Sequence, residues 1–147
     1  MSDPLAGLYQ EVILDHSKRR IGFGELEHHD ASHFERNPTC GDEITVQLAM
    51  EPGTDRIASI GWKGAGCSIS MASASVLSEM APGMTRTELS ALITEFREML
   101  RSRGAGEPDL ESLGDAVAFH GVSKFVMRIK CAMLAWVATE ACITELG

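Results

Sequence analysis

The sequence predicts an α+β protein, a small antiparallel sheet of about three strands with helices packed on one face. Three observations predict it. Ile44, Val46, Leu48 and Met50 alternate with Thr45, Gln47 and Ala49, the period of a half-buried strand. A second extended run, Arg56 to Trp62, follows the turn residues Glu51-Pro52-Gly53-Thr54-Asp55, so residues 43–62 read as an antiparallel hairpin. Beyond it the apolar residues recur at helical spacing, and strands early with helices later is the α+β order rather than an alternating one.

Taken from the start, Asp3-Pro4 sets a helix cap before a proline suited to the first turn, and Leu5, Leu8, Tyr9, Val12 and Ile13 continue at helical spacing over residues 4–18. Ile21-Gly22-Phe23-Gly24 breaks that helix. Residues 26–35 are polar and histidine-bearing with weak alternation, the character of an edge strand. After the hairpin, Gly64-Ala65-Gly66 punctuates the chain, and a helix of small residues runs from Cys67 to about Met80, where Ala81-Pro82-Gly83 stops it. Thr85-Arg86-Thr87-Glu88 has the form of a capping box. Leu89, Leu92, Ile93, Phe96, Met99 and Leu100 supply the apolar face of the helix behind it, residues 86–102. A short helix is expected from Pro108 to Phe119. A last one runs from about Ser123 almost to the end, with Phe125, Val126, Ile129, Met133, Trp136 and Val137 as its core stripe.

Composition narrows the function classes. The 147 residues are 44% hydrophobic, enough for the core of one domain over 1–147. The formal charge is −8 and the basic residues are scattered, which argues against a nucleic-acid partner. No stretch has the length and apolarity of a membrane span, and Met1-Ser2-Asp3-Pro4 does not open a signal peptide, so a cytoplasmic protein is expected. In a reducing compartment four widely spaced cysteines are better read as metal ligands or reactive thiols than as a disulfide framework, although any one of them could be a small core residue.

Their surroundings separate them. Cys40-Gly41-Asp42 follows the loop Asn37-Pro38-Thr39 at the entry to the first clear strand, where alternate side chains project to one side, so Cys40 and Asp42 are presented together. Cys67 stands at the mouth of a helix, where unpaired N–H groups and the helix dipole favour a thiolate. Cys131 and Cys142 lie eleven residues apart, about 16 Å along a continuous helix, and cannot share a metal whose ligands sit within about 4 Å of one another. Cys131, flanked by Arg128 and Lys130, is the better ligand, and Cys142, beside Ala141 and Ile143, is a packing residue. Three thiolates and a carboxylate on zinc leave a negative site, which Lys63, Arg128 and Lys130 are placed to support. His16, His28, His29 and His33 have no ligand spacing and read as surface or structural residues, and His120 is a spare candidate.

Asn37-Pro38-Thr39-Cys40-Gly41-Asp42, Gly64-Ala65-Gly66-Cys67-Ser68-Ile69-Ser70 and Arg128-Ile129-Lys130-Cys131, in that order, with the opening Leu8-Tyr9-Gln10-Glu11-Val12-Ile13-Leu14-Asp15-His16, resemble the IscU/NifU-like family of iron–sulfur cluster assembly. The resemblance implies that Cys40, Asp42, Cys67 and Cys131 meet around zinc or a nascent cluster. Scaffold members usually carry histidine before the third cysteine, where this chain has Lys130, and the proline-rich chaperone motif is absent. Extra helical sequence around 83–108 is similar to the SufU branch. That branch implies a zinc-dependent sulfurtransferase that takes sulfur from a pyridoxal-phosphate cysteine desulfurase of the SufS type, with Cys40 as persulfide acceptor, and passes it to the cluster assembly machinery. The alternative is a scaffold on which a transient [2Fe–2S] cluster is built at the same residues. A purely structural zinc is a third reading, disfavoured because structural sites usually draw on close-set ligand pairs.

Overall fold

The structure, a computed structural model, describes residues 4–39 and 41–146, with side-chain surroundings from Tyr9 onward. Asp3, the side chains of Leu5 and Leu8, and Cys40 therefore lie outside the described residues. The elements are α1 (Pro4–Arg19), β1 (Ala31–Arg36), β2 (Glu43–Met50), β3 (Ile57–Ala65), α2 (Ser68–Met80), α3 (Arg86–Arg101), α4 (Leu110–Leu113) and α5 (Val126–Leu146). Two 3-10 segments, Gly114–His120 and Val122–Lys124, lead into α5.

The strands form one antiparallel sheet in the order β1-β2-β3, with Val46 opposite both His33 and Trp62. Ile44, Val46 and Leu48 bury one face of β2 as the alternation predicts, and α5 packs on β1 and β2. The polar stretch before β2 does become the edge strand β1. The helix-breaking Ile21–Gly24 segment has a role its sequence does not announce: it runs beside β3, with Trp62 N–H donating to Gly22 O (3.0 Å), Gly24 N–H to Trp62 O (2.8 Å) and Trp62 Nε1–H to Ile21 O (2.8 Å). Gly22 has a φ of +82°, and a Cβ there would fall 2.7 Å from Ser78, so no other residue suits it.

Helix α3 starts with the predicted capping box: Glu88 N–H donates to Thr85 Oγ1 (3.1 Å) and Thr85 N–H to Glu88 Oε1 (2.9 Å). That donation holds the Glu88 carboxyl below its usual range. All six apolar residues assigned to this helix are buried, and Phe96 stacks on Trp136 of α5 at 3.9 Å between ring centres. Aromatic pairs of this kind contribute about 0.5–1.5 kcal/mol beyond their buried area.

Two expectations are corrected. The single helix from Pro108 to Phe119 is instead the one-turn α4, capped by Asp109 Oδ1 on Glu111 N–H (3.0 Å), followed by 3-10 turns; Gly114, at φ +49°, interrupts it. In α5, Phe125 and Val126 are not core: they are 64% and 50% exposed, because Phe125 is extended and the first turn of the helix projects past its neighbours. The buried stripe is Cys131 to Trp136, Ala138, Thr139 and Cys142. Its small residues let α2 approach closely, with Ser73 Oγ–H donating to Ala132 O (2.5 Å) and accepting from Trp136 Nε1–H (2.8 Å). Among the described residues no helix is long and apolar enough to cross a membrane.

Candidate metal centre

The site lies where the start of β2, the end of β3 with the head of α2, and the second turn of α5 converge. Its first wall is the loop 37–42. Asn37 N–H donates to Asp42 O and Gly41 N–H to Asn37 O, both at 2.8 Å, and Asn37 Oδ1 accepts from Thr39 N–H (3.1 Å), so both ends of the loop that carries Cys40 close on buried Asn37. Gly41 has a φ of +78°, which favours glycine. The turn leaves Asp42 6% exposed, its carboxylate facing the head of α2.

The second wall depends on two glycines. A Cβ on Gly64 would fall 2.2 Å from Glu43 O, so β2 and β3 approach this closely only with glycine there. A Cβ on Gly66 would fall 2.8 Å from Asp42 Cγ, so the absence of a side chain makes room for the carboxylate. Cys67 then caps α2 in an extended conformation (φ −69°, ψ 167°) and makes no side-chain cap bond. Its N–H points to Asp42 Oδ2 at 3.4 Å, and its half-buried sulfur sits at the positive end of the helix.

Cys131 supplies the third wall, 4% exposed, its thiol toward Met127 O at 3.7 Å. Ser70, one turn into α2 and 2% exposed, joins all three: its Oγ is 2.5 Å from Asp42 Oδ2, 3.2 Å from Cys131 O and 3.7 Å from Cys67 Sγ. One ligand atom each from Asp42, Cys67 and Cys131 lie within 4.8 Å of one another. Two sulfurs and a carboxylate oxygen are donors zinc takes, and tetrahedral zinc sets such donors about 4 Å apart, so the chemistry and spread of this set are compatible with a metal of that kind. Cys40 follows Thr39 and precedes Gly41 in the chain, outside the described residues.

The remaining candidates fall elsewhere. Cys142 is fully buried against β2, its thiol toward Val46 O at 3.6 Å, and burial, with a smaller push from Glu145, drives its pKa up to about 12. Lys63 is exposed and pairs with Glu25 at 3.1 Å, which offsets the charge offered to the site; Arg128 and Lys130 are exposed near the start of α5. His120 Nε2 is 3.1 Å from Ala105 O rather than at the cysteines. His16 is structural: 1% exposed, it reaches Ser75 Oγ with Nδ1 (2.8 Å) and Asp115 Oδ2 with Nε2 (3.0 Å), tying α1 to α2 and to Gly114–His120. His28, His29 and His33 lie toward the surface, the last pairing with Glu35 at 2.9 Å. The sequence marks Gly66 only as chain punctuation and Ser70 only as part of a motif; the signals of their part in the site are the one-turn spacing from Cys67 to Ser70 and the glycine directly before the cysteine.

Residues 8–132 match the family model described as the NifU-like N terminal domain. The chain is 40% identical over 136 residues to the iron–sulfur cluster assembly scaffold protein IscU of Streptococcus pyogenes serotype M1, covering 92% of this chain and 82% of that one. It is also 40% identical over 133 residues to the zinc-dependent sulfurtransferase SufU of Bacillus subtilis (strain 168), covering 90% and 87%. The crystal structure of a candidate scaffold protein for the SUF system from Fervidobacterium islandicum AW-1 superposes with a TM-score of 0.82 at 31% identity, covering 90% of this chain and 94% of that one. With residues 8–132 matching that model and the IscU- and SufU-named relatives aligned along most of their length, the chain belongs to the NifU-like N-terminal domain family.

Proposed function

We propose that this protein serves iron–sulfur cluster assembly as a persulfide carrier, accepting sulfur from a pyridoxal-phosphate cysteine desulfurase of the SufS type and handing it to the assembly machinery. The observation that carries the reading is the convergence of Asp42, Cys67 and Cys131 from three separate segments, with Ser70 between them. Ligands gathered this way suit a site whose purpose is chemistry rather than the stapling of a small fold. Among the described residues no histidine joins that cluster, and the residue before Cys131 is Lys130, which leaves the set rich in sulfur.

In this reading Cys40, Asp42, Cys67 and Cys131 hold zinc. When bound, zinc keeps cysteine sulfur deprotonated at neutral pH and adds no redox chemistry of its own. Asp42, Cys67 and Cys131 stand on a strand end, a helix head and a helix interior, so they form the fixed part of the site. Cys40 directly precedes Gly41, the residue type with the greatest backbone freedom, so in this reading it is the ligand that leaves the metal. Its thiolate attacks the outer sulfur of the desulfurase persulfide; the bond between the two partner sulfurs breaks, the desulfurase cysteine leaves as thiolate, and Cys40 carries the persulfide. The exchange is balanced without an external oxidant or reductant.

A second reading, a scaffold that holds a [2Fe–2S] cargo at these residues, is favoured by the scaffold name of the Streptococcus relative. Anaerobic purification followed by metal and sulfide analysis, with desulfurase turnover measured with and without the protein, separates the two. One colourless zinc per chain and turnover stimulation lost in Cys40→Ala are expected. Iron with acid-labile sulfide, and no effect on the desulfurase, would replace the carrier by the scaffold.

A further inference from the structure

We infer that Ser70 is the positioning residue of this centre, the group that sets the Asp42 carboxylate for metal binding; the inference rests on the metal-centre reading above. The Ser70 hydroxyl has one proton and three neighbours. The 2.5 Å contact to Asp42 Oδ2 is the short, charge-assisted one and takes the proton, while the 3.2 Å approach to Cys131 O and the 3.7 Å approach to Cys67 Sγ are longer. Cys67 N–H points at the same Oδ2 from 3.4 Å. Two donors on one oxygen, both from the head of α2, fix the plane of the carboxylate against the helix that carries Cys67.

The position suits this role. Ser70 is 2% exposed, so water does not compete for its proton, and it sits one turn after Cys67, on the same side of α2. Through one oxygen it spans the strand end with Asp42, the helix head with Cys67 and the backbone of Cys131. Ligands held in this way by a buried outer hydrogen bond typically lose 10- to 100-fold in metal affinity when the bond is removed.

Ser73 provides the internal control. It lies three residues further along α2, is fully buried, and also bonds the α5 backbone, but its hydroxyl donates to Ala132 O and accepts from Trp136 Nε1–H rather than meeting the ligand set. A hydroxyl that merely joins α2 to α5 would behave the same at either place.

The test is zinc affinity by chelator competition on reduced apoprotein, with the cobalt(II) spectrum as second readout, for wild type, Ser70→Ala, Ser70→Thr and Ser73→Ala. Zinc binding weakens about 10- to 100-fold in Ser70→Ala, with changed cobalt thiolate bands, and Ser70→Thr restores it to within about threefold. Ser73→Ala lowers the melting temperature of the apoprotein yet binds zinc as wild type does. Equal zinc affinity in Ser70→Ala and wild type, an equal loss in Ser73→Ala, or a Ser70→Ala apoprotein that is unfolded would each overturn the assignment and return Ser70 to the packing of α2. A wild-type chain that takes up no zinc would instead remove the metal-centre reading itself.

Discussion

Gly66→Ala sets a methyl group against the Asp42 carboxylate. The φ of Gly66 is outside the left-handed region, so the backbone accepts alanine and the only cost is space. The added Cβ would lie 2.8 Å from Asp42 Cγ and 3.1 Å from both Asp42 Cβ and Oδ2. Non-bonded carbons rest at about 3.5–4.0 Å, so the carboxylate must retreat by about 0.7 Å. The carboxylate can turn about the Cα–Cβ bond while Asp42 Cβ, at 3.1 Å, yields by a few tenths of an ångström, but metal–ligand distances tolerate only about 0.2 Å. The variant therefore folds and loses one ligand. Zinc affinity falls about 100-fold, which at about 1.4 kcal/mol per decade is about 2.8 kcal/mol. The apoprotein loses about 1 kcal/mol, because the displaced carboxylate weakens its buried bond to the Ser70 hydroxyl. Chelator competition and urea denaturation measure the two quantities on one sample. Repeating Gly66→Ala in an Asp42→Ala background removes the contacts to Cγ and Oδ2 and leaves only the 3.1 Å approach to Cβ, so with the carboxylate already gone the second substitution should cost little further affinity. Undiminished zinc binding in the single variant, or an equal loss in both backgrounds, would refute the claim that Gly66 exists to admit the Asp42 carboxylate.

The other expectations concern the frame around the site. His16→Ala removes a buried ring that bonds Ser75 and Asp115, and costs about 3 kcal/mol in urea denaturation; a loss below about 1 kcal/mol would show that α1 is held by other contacts. Thr85→Ala opens the capping box of α3 and lowers stability by about 1 kcal/mol, without changing zinc affinity. Cys142→Ala leaves zinc binding and sulfur transfer as they are. Its pKa is raised in the fold, so its proton stabilises the native state fully below the unfolded value near pH 9, and that contribution is lost as pH climbs toward 12. The advantage of wild type over Cys142→Ala in apoprotein urea midpoint should accordingly narrow between pH 8 and 10.5, and a constant gap would contradict the buried thiol.

What could be read directly from the residues is what local chemistry controls. The alternation in Ile44, Val46 and Leu48 marks a strand with one buried face, Thr85 and Glu88 bond each other three residues apart, and Cys67 follows a glycine run into a helix. Cys142 could be set aside because helix rise alone keeps it from Cys131. What stayed hidden depends on contacts between distant segments. Phe125 and Val126 have the apolarity of core residues, and only the path of the preceding 3-10 turns shows that they project outward. Ser70 looks like any serine of a small-residue helix until Asp42, 28 positions earlier, folds against it. The bond from Trp62 Nε1 to Ile21 O, 41 positions apart, likewise turns an apparent linker into a flank of the sheet.

The central claim, that Cys40 accepts sulfur at this centre, is tested most directly by intact and peptide mass spectrometry of the zinc-loaded protein after brief incubation with a SufS-type desulfurase and cysteine. The account predicts a mass increment of one sulfur atom, localised to Cys40 and absent from Cys40→Ala. Sulfur found on Cys67 or Cys131 instead, or no persulfide while iron and sulfide accumulate on the chain, would contradict it.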